Sequence, residues 1–298
     1  MDISKLRTVL GEENVSQGVR LADYTTFRIG GPADILVRPQ NAEQLQGVID
    51  WCQNLPLPWI LLGKGSNVLA NDEGFHGVVI CPEGDFLAIH TEGYQIHAGC
   101  GVSLARVARE ALEHELTGME FASGIPGSLG GAVYMNAGAY GGGMKQVVEE
   151  DEALTESGIR RIPAQECDFG YRHSAFSDGK SVILGAKLHL SKGSSSEIDA
   201  KMVELMNRRK SSQPLEYPSA GSTFKRPTGY FAGTLIQETG LKGLTVGGAQ
   251  VSEKHAGFII NIGGASCRDV CTLIQQVQEK VRQAHGVTLE PEVKIIEN

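Results

Sequence analysis

The spacing of apolar residues near the N-terminus predicts the order strand, helix, strand. Ala33 to Val37 is an apolar run, Asn41 is a suitable N-cap, and the run WILL at 59–62 is a second strand candidate. Between the two runs apolar side chains recur at helical spacing, at Leu45, Val48, Ile49 and Cys52. A further apolar run, VVIC at 78–81, completes a small α/β domain that we expect to cover residues 1–80.

The same patterns predict a second domain over residues 81–190. It contains strands at 94–98, 147–154 and 182–190 and a helix from Ser103 to His114. After Leu190 the polar stretch KGSSS is typical of a flexible boundary. We therefore expect a third domain over residues 191–298 and an α+β fold for the chain.

Two helices and one strand are predicted in the third domain. One helix runs from about Glu197 to Lys210, and the other opens at Ser266 and stops at Gly286. The final run VTLEPEVKII, 287–296, alternates as a strand, but Pro291 cannot donate to a ladder and predicts an edge or a bulge.

Composition narrows the class of protein. With 298 residues, 41% of them hydrophobic, and a net charge of -8 without a block of basic residues, the chain is typical of a globular protein that does not bind nucleic acid. The N-terminal residues lack a long apolar run, so we expect a cytoplasmic protein without a membrane span. The cysteines and histidines show no metal-ligand spacing, which indicates reduced thiols and no metal.

The most informative segment is SGIPGSLGGAVYMNAGAYGGG at 123–143, with eight glycines in twenty-one residues. Such a density costs about 0.5–1 kcal/mol per site relative to alanine and indicates that a ligand approaches the backbone closely. GKGSN at 63–67 follows the strand WILL but matches neither GxxxxGK(S/T) nor GxGxxG. Taken alone it could be a tight turn; together, the two loops are suited to cradle a phosphate linker.

Five motifs in this order resemble the UDP-N-acetylenolpyruvoylglucosamine reductase family: GKGSNVL, the glycine-rich segment, GYRHSAF, AGSTFKRP and LEPEVKIIE. The resemblance implies a two-part FAD-binding domain of the vanillyl-alcohol oxidase type, followed by a C-terminal α+β substrate domain. It implies FAD as cofactor, NADPH as hydride donor and a UDP-sugar substrate in peptidoglycan precursor synthesis. We expect a monomer or a weak oligomer. The implied cofactor-binding residues are Gly63, Lys64, Gly65, Ser66, Asn67, Ser123, Gly124, Ile125, Pro126, Gly127, Ser128, Asn136, Gly138 and Ala139.

The resemblance also assigns three catalytic residues. Ser222 in AGSTFKRP matches the serine that donates a proton to the enolate-like carbon, although a serine there could instead cap a turn. Arg172 in GYRHS matches the arginine that stabilises the developing carboxylate charge, and its alternative is a surface ion pair. Glu292 matches the family's glutamate, with Glu290 as the nearest rival.

Substrate contacts are less specific in the sequence. Tyr171, Lys210, Lys225 and Arg226 are the candidates, and Arg208 and Arg209 belong to the same basic group as Lys210. Helix-end bases can equally be solvated caps. The sequence has Arg226 where many members carry asparagine, and it lacks room for an extra substrate loop, so it resembles the shorter class.

Two other functions remain open from the sequence. One is an FAD-dependent oxidase of a sugar or hydroxy acid, which needs a base rather than the acid that Ser222 provides. The other is a non-catalytic nucleotide-binding protein that keeps the glycine loops for structure. The presence of all three chemical residues favours the reductase.

Overall fold

The computed structural model describes residues 3–297, and the chain divides into two compact units. The first unit comprises the chain up to Ser16, Leu36–Lys64 and Val79–Arg209. The second comprises Gln17–Ile35, Gly65–Val78 and the chain from Lys210 onwards. The predicted boundaries at 80/81 and 190/191 stay predictions.

The described chain contains seven α-helices, and side-chain caps fix where several of them begin. Asn41, Ser103 and Ser266 each accept a hydrogen bond from the backbone N–H three residues later, as the sequence predicted for helix starts. The helices are α1 Ser4–Leu10, α2 Ala42–Asn54, α3 Leu104–Glu113, α4 Leu129–Tyr134, α5 Ser195–Ser212, α6 Ala232–Glu238 and α7 Cys267–His285.

Within the described residues, strands form one five-stranded sheet, two four-stranded sheets and three two-stranded sheets. In the first half of the chain they are β1 Val15–Arg20, β2 Pro32–Val37, β3 Trp59–Leu61, β4 Val68–Ala70, β5 Phe75–Ile80, β6 Ile89–Glu92, β7 Gln95–Gly99, β8 Leu116–Thr117, β9 Gly138–Ala139 and β10 Gly142–Gly143. The others are β11 Val148–Thr155, β12 Gly158–Pro163, β13 Val182–His189, β14 Ser191–Lys192, β15 Ser219–Ser222, β16 Thr245–Val246, β17 Ala249–Val251, β18 Phe258–Asn261 and β19 Lys294–Ile296.

In the first unit the largest sheet has the order β12-β11-β13-β7-β6 and is antiparallel throughout. Helices α3 and α4 lie against β7, and α4 also lies against β13. The glycine-rich segment runs through α4, so the sheet supports that segment.

A separate four-stranded sheet near the N-terminus has the order β1-β2-β5-β3.

In the second unit the antiparallel sheet β15-β18-β17-β16 packs against α7. One face of this helix is buried, since Val270, Leu273, Val277 and Val281 have no exposed surface. These side chains belong to one hydrophobic core that also includes Phe27. Strand β19 pairs in parallel with β4, which follows the GKGSN loop.

Two predictions about the C-terminal region were wrong. The stretch KGSSS is not a flexible linker, because Lys192 lies in β14 and pairs with Leu116 of β8, and Ser195 opens α5. The final strand covers only Lys294–Ile296 rather than 287–296. Pro291 explains this difference, because it has no N–H to donate and forms only an isolated bridge to Phe224.

No helix within residues 3–297 is both long and apolar enough to cross a membrane.

Candidate active site

The two glycine motifs meet inside the first unit. A Cβ built on Gly63 would lie 2.3 Å from Oγ of Ser128, so only glycine allows this approach. Ser128 is also the N-cap of α4, and its Oγ accepts from the N–H of Gly131 at 3.4 Å. The bond from Leu104 N–H to Gly127 O, at 3.0 Å, holds the loop against α3. The predicted proximity of the two loops is therefore present in the fold.

Gly65, Ser66 and Asn67 of GKGSN belong to the second unit, where Gly65 has a φ of +58°. A Cβ at this position would lie 2.2 Å from the carbonyl oxygen of Tyr24. The carbonyl of Gly65 accepts from the N–H of Thr26 at 3.1 Å. Both the backbone angle and the close contact require glycine here.

Asn136 connects the glycine-rich segment to the segment that carries Arg172. Its Nδ2 donates to Gly170 O at 2.7 Å, and its Oδ1 accepts from the N–H of Lys145 at 3.0 Å. Its φ of +42° is in the left-handed region, which asparagine tolerates better than most residues. Asn136 was predicted to bind the cofactor, and the structure gives it this positioning contact in addition.

Arg172 lies in a two-residue turn closed by the backbone pair Gly170 and His173. Its φ of +53° is unusual for a non-glycine residue and indicates a conformation imposed by the surrounding structure. The guanidinium carbon lies 5.2 Å from the ring centre of Tyr171, which is 57% exposed. The turn therefore presents an arginine and an aromatic ring together.

Ser222 and Glu292 are brought together in the second unit. Ser222 ends β15 opposite Phe258, and Gly221 before it has a φ of +75°. The N–H of Glu292 donates to the carbonyl of Thr223, the residue after Ser222, at 2.8 Å. The two predicted catalytic residues thus lie on adjacent, hydrogen-bonded segments.

The GKGSN loop joins the same network. Nδ2 of Asn67 donates to the carbonyl of Glu292 at 3.1 Å, and the N–H of Lys294 donates to Asn67 O at 2.9 Å. Sequence reasoning placed Asn67 at the cofactor and did not predict this contact. The two residues are 225 positions apart, so no local pattern could have revealed it.

The rival carboxylate Glu290 has a different partner. It forms an ion pair with Nζ of Lys225, and its carbonyl accepts from the N–H of Lys225 at 2.8 Å. Glu290 is exposed, whereas Glu292 is half-buried. No strand forms around Pro291, so strand alternation does not relate these two carboxylates.

The remaining predicted substrate residues are spread over the chain. Arg226 places its guanidinium carbon 3.9 Å from the ring centre of Phe231, an exposed residue of the same loop. Lys210 is exposed, and its carbonyl accepts from Nζ of Lys254 at 2.7 Å.

The donor set of the first unit fits the phosphate linker of a dinucleotide. The glycine-rich segment carries hydroxyls at Ser123, which donates to Glu120 O, and at Ser128, which faces Gly63. Gly63 and Lys64 lie outside helix and strand ladders. Backbone amides and hydroxyls of this kind bind phosphate oxygens. Residues 3–297 contain no cluster of three or more His, Cys, Asp or Glu residues that could hold a metal ion.

Comparison with known proteins first defines the class. The FAD binding domain family matches residues 33–162, which include both glycine loops, and a C-terminal domain family matches residues 213–296, which include Ser222 and Glu292. The chain thus combines an FAD-binding domain with a C-terminal domain, the architecture of an FAD-binding oxidoreductase expected from the sequence.

The C-terminal match is described as "UDP-N-acetylenolpyruvoylglucosamine reductase, C-terminal domain". The reductase of Caldanaerobacter subterraneus subsp. tengcongensis is 48% identical over 99% of this chain and 97% of its own length, and that of Clostridium novyi is 46% identical over 99% and 97%. The crystal structure of the Thermus caldophilus reductase superposes with a TM-score of 0.84 at 37% identity, over 94% of this chain and 98% of that one. This chain belongs to the UDP-N-acetylenolpyruvoylglucosamine reductase family.

Proposed function

We propose that this protein reduces UDP-N-acetylglucosamine enolpyruvate to UDP-N-acetylmuramate with NADPH, through bound FAD, in bacterial peptidoglycan precursor synthesis. The observation that carries the proposal is the hydrogen-bonded network of Asn67, Glu292 and the segment of Ser222. It brings a predicted proton donor and a predicted carboxylic acid next to a predicted flavin loop.

When bound, FAD would supply the hydride transfer between NADPH and the enolpyruvyl methylene carbon. We assign its contacts to the backbone and hydroxyls of residues 63–67 and 123–128, together with Asn136, Gly138 and Ala139. The glycines at these sites let the backbone come close to a phosphate linker, which a side chain would block.

The protein's own residues complete the reaction. Ser222 donates its hydroxyl proton to the carbon next to the substrate carboxylate, where the enolate-like charge makes a weak acid sufficient. Arg172 holds that carboxylate, because a guanidinium binds both oxygens whereas a lysine acts as a point charge. Glu292 polarises the carboxylate as a protonated acid or through a hydrogen-bonded relay, since an ionised carboxylate would repel the developing charge.

We assign the UDP diphosphate of the substrate to Lys210, Lys225 and Arg226. Tyr171, next to Arg172, flanks the flavin or the substrate. The protein acts in the cytoplasm as a monomer or weak oligomer, without nucleic acid or membrane partners. Nicotinamide and enolpyruvyl group would occupy one pocket in turn, so initial-rate plots should give the parallel lines of a ping-pong mechanism.

The test is an anaerobic absorbance experiment on the purified protein. NADPH should bleach the flavin band, and UDP-N-acetylglucosamine enolpyruvate should restore it without oxygen. Bleaching without recovery would favour a different flavoprotein oxidoreductase, and no flavin signal after added FAD would contradict the proposal.

Variants assign the steps to residues. Ser222→Ala should still be bleached by NADPH but should form product at least a hundredfold more slowly, because only the second half-reaction needs the proton. Ser219→Ala, on the same strand, is the matched control and should behave like the parent protein. Equal loss of both half-reactions in Ser222→Ala would show that Ser222 has another role.

A further inference from the structure

The last turns of α5 lie against the glycine-rich segment of the first unit. A methyl group built on Gly124 would lie 3.2 Å from Cδ and 3.8 Å from Nη1 of Arg209, and 3.3 Å from Cε of Met206. The arginine side chain therefore covers the backbone of Gly124. Arg208 reaches a second point of the segment, 4.9 Å from the ring centre of Tyr140.

Arg209 differs from its neighbour in its charge partners. Arg208 is exposed and pairs with Glu204 at 3.6 Å. Arg209 is half-buried, and the ion pairs formed within residues 3–297 give it no carboxylate partner. Desolvation lowers the pKa of Arg209, and the main opposing influence is Tyr140 rather than an acid. A partly desolvated cation is unfavourable unless an anion compensates it.

We propose that Arg209 binds the pyrophosphate group of a nucleotide ligand. The guanidinium presents parallel N–H donors suited to two phosphate oxygens, and it lies over a glycine loop whose backbone can approach the same group. The inference rests on the proposed function, which offers two such groups: the pyrophosphate of FAD and the diphosphate of the UDP-sugar.

A competing account is that Arg209 only stabilises its helix. Its position in the last turn of α5 allows a favourable interaction with the helix dipole and the final carbonyls. That role would change thermal stability and leave nucleotide affinity unaltered, so a binding measurement separates the two accounts.

The experiment compares Arg209→Met, Arg209→Lys and the control Lys201→Met, which removes a charge from an exposed position of the same helix. Apoprotein is titrated with FAD and with riboflavin, which lacks the pyrophosphate, by flavin fluorescence. FAD-loaded protein is titrated with UDP by calorimetry. Circular dichroism checks that each variant is folded.

We expect Arg209→Met to weaken either FAD or UDP binding at least tenfold, with riboflavin binding and the Lys201→Met variant unchanged. Loss of FAD affinity identifies the flavin pyrophosphate as the ligand group, and loss of UDP affinity identifies the substrate diphosphate. Arg209→Lys should recover part of the loss. Unchanged affinity for both in folded Arg209→Met would overturn the inference, whereas failure of the parent protein to bind FAD and UDP would instead contradict the proposed function.

Discussion

The buried carboxyl of Asp151 should make the free energy of unfolding fall as pH rises. It lies on β11 with no exposed surface, its Oδ2 accepts from the thiol of Cys167 at 3.2 Å, and its Oδ1 has no hydrogen-bond partner. Burial raises the pKa of this carboxyl to about 7. An aspartate in the unfolded chain has a pKa of about 3.9. The folded protein therefore keeps a proton that the unfolded chain releases.

The sign and size of the effect follow from this difference. Because the folded state binds the extra proton between the two pKa values, the free energy of unfolding falls by about 1.4 kcal/mol per pH unit in that range. The contribution is complete below about pH 4 and is lost as pH rises through about 7. Between pH 5 and pH 8 the loss is about 2.5 kcal/mol.

Asp151→Asn removes the titrating group and keeps the shape. The difference in unfolding free energy between this variant and the parent protein should shift by about 2.5 kcal/mol in favour of the variant from pH 5 to pH 8. Urea unfolding at four pH values with saturating FAD measures it. Glu152→Gln, at an exposed position of the same strand, is the control and should give a constant difference. A constant difference for Asp151→Asn as well would refute the reasoning.

Two further changes test the site and the thiols. Asn136→Gly keeps the left-handed backbone but loses the bond to Gly170, so kcat measured at saturating FAD should fall about tenfold as the Arg172 turn loosens; an unaltered kcat would show that the turn holds itself. Iodoacetamide at pH 7.5 should label Cys271 first, because the hydrogen bond from Cys267 lowers the pKa of Cys271 to about 7; peptide mass spectrometry that finds another cysteine labelled faster would contradict this order.

Local sequence signals predicted the helices well. The caps Asn41, Ser103 and Ser266 act within their own first turns, and the stop at Gly286 depends on one residue with a positive φ. Such features involve neighbours three or four positions apart, which a sequence pattern displays directly. The glycine loops were also predictable as close approaches, because so dense a run of glycine is unfavourable in an ordinary helix or strand.

The parts that sequence could not predict depend on distant partners. The contacts between Lys225 and Glu290 join residues 65 positions apart, and no local pattern announced them. The backbone φ of Arg172 is positive, and an arginine in the sequence does not predict that conformation. The burial of Asp151 likewise depends on how β11 packs in its sheet, although the residue itself is polar.

Long-range contacts also limit how site variants should be interpreted. Both backbone groups of Glu292 are engaged, its N–H with Thr223 and its carbonyl with the side chain of Asn67. These two bonds fix the backbone from which the Glu292 carboxyl projects. Replacing Asn67 therefore disturbs the glutamate as well as the flavin loop, and a lower kcat in such a variant would not report cofactor binding alone. Ser66 is the better probe of the loop, because its hydroxyl can be removed without breaking the bond between Asn67 and Glu292.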